Sequence, residues 1–139
     1  MNILFLCVAN SARSQMAEGL AKEILGPEHD IRSAGSNASG KVHPNAILAL
    51  ENIGIDISLN QSKNIDELDQ GFLNNLDWVI TLCAEEICPV FLSNASKLHW
   101  ANEDPANELF SDQRLKEAFE ETRNNISKSL KHFYELNLQ

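Results

Sequence analysis

Apolar residues recur along this chain in two rhythms. Ile3-Leu4-Phe5-Leu6 is a short unbroken run, the pattern of a strand buried on both faces, and predicts a first strand over 3–6. From Ser11 to Leu25 the spacing turns helical: Met16, Leu20 and Ile24 share one stripe, with Ala17 and Ala21 beside it, until Gly26-Pro27 stops it. Ile31 to Ala34 predicts a second strand, closed by Gly35 and a polar Ser-Asn-Ala-Ser-Gly loop. Pro44 suits the first turn of a helix that runs to about Ile53, with Gly54 as its cap. A further helix is expected over Asn64 to Leu76, weakened by Gly71. Asp77 to Leu82 reads as a third buried strand and Lys97 to Trp100 as a short fourth. Leu115, Phe119, Thr122, Ile126, Leu130 and Phe133 then recur every three or four residues, which predicts a long terminal helix packed on the sheet.

Strands alternating with helices imply an α/β fold with a parallel sheet covered on both faces. Such sheets bind ligands at the carboxyl ends of their strands, and Cys7 closes the first strand at that end. The 139 residues suit one domain over 1–139, with no repeat or linker. A net charge of −9 argues against nucleic acid or an anionic membrane as partner. It leaves room for a small anion held locally by backbone N–H groups and one arginine. No apolar run approaches a membrane span of about 18 residues, and no signal-like segment opens the chain. Three cysteines, an odd number, do not make a fixed disulfide framework, so a reducing cytoplasm is expected, with thiols that serve catalysis or sensing.

The stretch Cys7-Val8-Ala9-Asn10-Ser11-Ala12-Arg13-Ser14 is suited to cradling an oxyanion. Successive N–H groups at a strand-to-helix turn face inward, and the helix dipole adds positive potential. Arg13, one helical turn in, is placed to fork onto two oxygens of a tetrahedral anion. The same field favours a thiolate at Cys7, with Ser14 donating to it, and Asn10 is expected at positive φ. The competing interpretation is an inert buried cysteine at a strand end. The strand before it, the helix after it and the serine beside the arginine favour the cradle.

CVANSARSQMAEG resembles the active-site loop and first helix of the low-molecular-weight protein tyrosine phosphatases and the arsenate reductases built on that fold. The likeness continues through SAG at 33–35, VHPNAI at 42–47, GIDIS at 54–58, VITLC at 79–83 and HWANEDPA at 99–106, and points to the thioredoxin-coupled arsenate reductase branch. It implies a flavodoxin-like three-layer sandwich with a four-stranded parallel sheet. It also implies a nucleophilic Cys7, attack on it by Cys83, and a second attack by Cys88, giving a Cys83–Cys88 disulfide returned to the dithiol by thioredoxin. Asp104 matches the family's general acid.

Several positions depart from the phosphatase pattern. Ala9 stands where phosphatases carry glycine, and Ala106, Asn107 and Glu108 follow Asp104-Pro105 where they place aromatic residues. The first tells against a phosphatase more than against a reductase, and the second disfavours an aryl substrate. The gap between Cys83 and Cys88 is shorter than in many relatives. Were residues 83–88 helical, the two thiols would point about 140° apart, so the bond requires that turn to unravel. Asn10, Glu18 and Ser33 match three ligands of a potassium site found in some relatives, and Lys63 aligns with the fourth, usually aspartate. Lys63 is either an ammonium in the cation's place or a solvated surface lysine. A metal site built on His99 is not expected, with one nearby histidine and no second cysteine pair.

The expectation is therefore a cytoplasmic, monomeric arsenate reductase with no organic cofactor, phosphate as competitor and thioredoxin as reductant. Two rivals stand beside it: a small tyrosine phosphatase, and a non-catalytic oxyanion or redox sensor.

Overall fold

A computed structural model describes residues 1–84 and 93–138. Four strands, β1 (Asn2–Cys7), β2 (Asp30–Gly35), β3 (Trp78–Cys83) and β4 (Ser96–Asn102), form one parallel sheet in the order β2-β1-β3-β4. Among the described residues four α-helices accompany them: α1 (Arg13–Leu25), α2 (Pro44–Glu51), α3 (Gln70–Asn74) and α4 (Asp112–Asn137). No helix among the described residues is long and apolar enough to cross a membrane.

The central strand explains the unbroken apolar run. Ile3 and Phe5 join the larger core with Met16, Leu20, Leu50, Phe119, Ile126 and Phe133. Leu4 and Leu6 face the opposite side, in a smaller core with Ala34, Phe72, Val79 and Ala95. All four side chains of this run are fully buried, so alternation along the strand carries no polar signal. The sheet is thus covered on both faces, thickly by α1, α2 and α4 and thinly by α3. Trp100 extends the larger core through ring contacts with Phe5 and Phe133.

Three expected boundaries move. The helix expected over 64–76 is two pieces, a 3-10 turn at Ile65–Glu67 and the five-residue α3. Leu68 is extended between them (φ −80°, ψ 148°), and Asp69 caps α3 by accepting the Phe72 N–H. That break lets Ile65 and Leu68 join Leu73 and Leu76 against the thin face. Helix α2 ends at Glu51 with Asn52 as its cap, and Gly54 instead serves the turn beyond at φ 84°. Helix α1 begins at Arg13 rather than Ser11. Asn10 (φ 48°) and Ala12 (φ −126°, ψ −79°) hold the preceding segment out of helical geometry. Arg13 is therefore the first helical residue, not one turn in.

Candidate active site

The loop from Cys7 to Ala12 is held from outside. Ser36, Asn37 and Ser39 donate their backbone N–H groups to the carbonyls of Cys7, Val8 and Ala9, and His43 donates to that of Ser11. The Ser62 hydroxyl adds a second bond to the Ala9 carbonyl. In a trans peptide the N–H points opposite to the preceding C=O, so carbonyls tied outward turn the following amides toward the concave side. Gly35 makes this close wrapping possible, because a β-carbon there would collide with the Val8 carbonyl oxygen. Helix α1 opens onto this concavity with no side-chain cap and no acidic residue in its first turn. An anion there meets the N–H groups of the first turn and the positive end of the helix.

Cys7 is a free, buried thiol at the floor of the loop. Its sulfur is 2.8 Å from the Ser14 hydroxyl and accepts the Asn10 N–H at 3.3 Å. The Asn10 side chain organises the rest. Its Oδ1 accepts the Lys63 backbone N–H (3.0 Å) and its Nδ2 donates to the hydroxyls of Ser14 (2.8 Å) and Ser33 (3.0 Å). Ser33 in turn donates to Glu18 (2.7 Å), a carboxylate buried on α1. Lys22 completes Glu18 at 2.8 Å, while the Lys63 ammonium lies 3.9 Å from it and donates to the Gln61 carbonyl at 3.1 Å. Asn10, Glu18, Ser33 and Lys63 therefore meet, although 53 residues separate the first from the last. Burial pushes the Lys63 pKa down, and the Glu18 charge opposes that shift.

Arg13 is almost fully buried and reaches across to the end of β4. Its Nη1 donates to the Asn102 carbonyl at 2.8 Å, and its Nη2 is 4.0 Å from the Asp104 carboxylate. Asp104 is half exposed (51%), which keeps it open to a ligand, and its other oxygen accepts the Ala106 N–H in a local turn. His43 borders the same region. Its Nδ1 accepts the Asn45 N–H at the start of α2 and its ring packs on Phe119. Burial lowers the His43 pKa, the Asp104 charge opposes that, and Lys41 adds to it. His99 stays out of the site, bonded through Nδ1 to the Thr81 hydroxyl at 2.6 Å.

Cys83 ends β3, the strand beside β1, so it is extended rather than helical. Cys88, and the rest of the turn expected over 83–88 beyond Ala84, lie outside the described residues. The pairing of β3 with β4 slips by one residue between Thr81 and Cys83, the mark of a bulge at this end of the sheet.

Sequence reasoning placed the loop residues, Arg13 and Asp104 in one region. It missed Gln15, His43 and Asn102. A polar residue directly before the apolar stripe of α1 was a usable signal for Gln15. None existed for Asn102, which acts through its backbone.

A buried thiol in a loop suited to an anion, with Arg13 opening the helix behind it and Asp104 arriving from beyond β4, is an arrangement that can hold an oxyanion beside a cysteine. The chain belongs to the low molecular weight phosphotyrosine protein phosphatase family, whose model matches residues 2–139. Among its relatives, an arsenate reductase from Halalkalibacterium halodurans is 46% identical over 135 residues, covering 96% of this chain and 94% of that protein. A solved arsenate reductase in its phosphate-binding state superimposes with a TM-score of 0.77 at 32% identity, covering 96% of each chain. A thioredoxin-dependent arsenate reductase from Corynebacterium glutamicum matches with a TM-score of 0.67 at 29% identity, over 97% of this chain and 62% of that one.

Proposed function

We propose that the chain is a cytoplasmic, monomeric arsenate reductase regenerated by thioredoxin. The observation that carries this reading is the setting of Cys7, free and buried in the oxyanion loop with Arg13 and Asp104 beside it, while Cys83 ends the adjacent strand.

In the proposed cycle the Cys7 thiolate attacks arsenate held by the loop amides and Arg13. A sulfur–arsenic bond forms, and the departing hydroxide takes a proton from Asp104 to leave as water. Cys83 then attacks the Cys7 sulfur. The sulfur–arsenic bond breaks with its electron pair moving to arsenic, so arsenic(V) becomes arsenic(III), arsenite leaves, and Cys7–Cys83 forms. Cys88 attacks Cys83, releasing the Cys7 thiolate and leaving the Cys83–Cys88 disulfide for thioredoxin to reduce. Alternation along β1 and β3 puts Cys7 on the face of Phe5 and Cys83 on that of Val79, so the first transfer requires the end of β3 to leave its strand position.

Phosphate fits the same cradle but offers no reducible centre, so it competes. The trio Cys7, Arg13 and Asp104 is all that hydrolysis of a phosphoester needs, which supports a weak aryl phosphatase side activity. The deciding assay follows NADPH oxidation with thioredoxin and its reductase, with and without arsenate, beside aryl phosphate hydrolysis. Arsenate-dependent oxidation that phosphate inhibits is the expected result. Hydrolysis without any such oxidation would make the protein a phosphatase.

A further inference from the structure

Gln15 follows the loop directly, is fully buried on α1, and is pointed at the loop's back rather than into its cradle. Its Nε2 donates to the Asn10 side-chain oxygen at 2.9 Å, the Asn10 carbonyl at 3.3 Å and the Gln61 carbonyl at 3.0 Å. Its Oε1 accepts from Asn60 Nδ2 at 3.2 Å. The two carbonyls can only accept, so the amide has one consistent orientation.

What Gln15 holds is an unusual residue. Among the described residues, Asn10 is the non-glycine position with positive φ, at 48°. A left-handed residue persists where its surroundings over-determine it. Both of the donors that reach the Cys7 sulfur depend on it. One is the Asn10 N–H itself. The other is the Ser14 hydroxyl, which accepts Asn10 Nδ2 and donates to sulfur when Cys7 is a thiolate, since a thiolate can only accept. Asn10 Nδ2 faces Ser14 because Gln15 and the Lys63 N–H both claim the other end of the Asn10 amide.

We propose that Gln15 is a positioning residue for the nucleophile: by clamping Asn10 in its left-handed conformation from behind, it keeps both hydrogen-bond donors aimed at the Cys7 sulfur. The proposal rests on Cys7 being the nucleophile of the function above, and is indifferent to whether the bound oxyanion is arsenate or phosphate. Gln15 touches no substrate. Its effect reaches the thiol through Asn10 and Ser14.

The test compares wild type with Gln15→Met, which keeps length and volume and removes every donor. Cys7 is alkylated with iodoacetamide across pH 4–9 and quantified at that peptide by mass spectrometry, with melting temperature measured in parallel. The expected result is an upward move of the Cys7 alkylation midpoint, read as a neutral-pH rate about threefold to tenfold lower, since one pH unit of midpoint is tenfold in thiolate. A role confined to stability would lower the melting temperature and leave the midpoint where it was, and that outcome overturns the proposal. Should Gln15→Met fail to fold, Asn60→Ala decides. It frees only the Gln15 oxygen and should move the midpoint the same way by less, whereas no movement overturns the proposal. Alkylation involves no oxyanion, so absence of arsenate turnover in wild type would refute the arsenate reading and leave this one standing.

Discussion

The Ser14 hydroxyl lies 2.8 Å from the Cys7 sulfur, within hydrogen-bond reach of it. Asn10 Nδ2 donates to the same hydroxyl oxygen from the other side, and Asn10 itself is oriented by the backbone N–H of Lys63, which can only donate. A thiolate can only accept, so once Cys7 is deprotonated the hydroxyl donates to sulfur, an arrangement that favours the thiolate over the thiol. Ser14→Ala removes a hydrogen bond to a charged group, a contribution of about 1.5–3 kcal/mol. The pH profile of Cys7 alkylation by iodoacetamide should then move to higher pH. An unmoved profile would show that the loop amides and the helix dipole suffice.

In the proposed relay the three thiols act in separate stages. In Cys88→Ala, one equivalent of arsenite per enzyme should form and turnover with thioredoxin should stop. In Cys83→Ala no arsenite should be released. Aryl phosphate hydrolysis should survive in both, since it needs only Cys7, Arg13 and Asp104. Loss of hydrolysis together with reduction in the Cys88 variant would make that residue structural and remove it from the relay.

Lys63 places its ammonium 3.9 Å from Glu18, in the group that also joins Ser33 and Asn10. If this tethered charge serves as the cation, wild-type activity and melting temperature are indifferent to exchanging sodium for potassium. Lys63→Asp should then acquire potassium dependence of both. Strong potassium stimulation of the wild type would show that Lys63 is only a neighbour of the carboxylate.

His43 accepts the Asn45 N–H through Nδ1, which requires a neutral ring. Burial holds its folded-state pKa below the ordinary 6.5, so the unfolded chain binds that proton more readily. Its contribution is complete above about pH 6.5 and is lost as pH falls through the lower folded-state value. His43→Asn keeps an acceptor at the helix start and removes the titration. Its melting temperature should fall less between pH 7 and 5 than that of wild type. Parallel slopes for the two proteins would rule the imidazole out as a source of acid sensitivity.

Some of this molecule is written in the local pattern. The run Ile3–Leu6, the stripe of α1 and the long period of α4 announce their elements because each buries a face that the sequence repeats. The loop is legible for the same reason. A thiol closing a strand, an arginine opening a helix and a serine beside it lie within eight residues, where chain geometry alone brings them together.

Other features belong to the tertiary structure. The strand order β2-β1-β3-β4 and the break at Leu68 depend on which faces remain to be covered once the strands have paired, and no periodicity records that. Arg13 meets Asn102 across 89 positions through a backbone carbonyl, an atom every residue carries and no side chain advertises. The grouping of Asn10, Glu18, Ser33 and Lys63 was visible in the sequence only through resemblance to a family, not through spacing. Gln15 looked like an ordinary polar residue on a helix. Its amide acquires a purpose only when folding presses it between the left-handed Asn10 and the carbonyl of Gln61, because a buried amide must find partners wherever the packed chain supplies them.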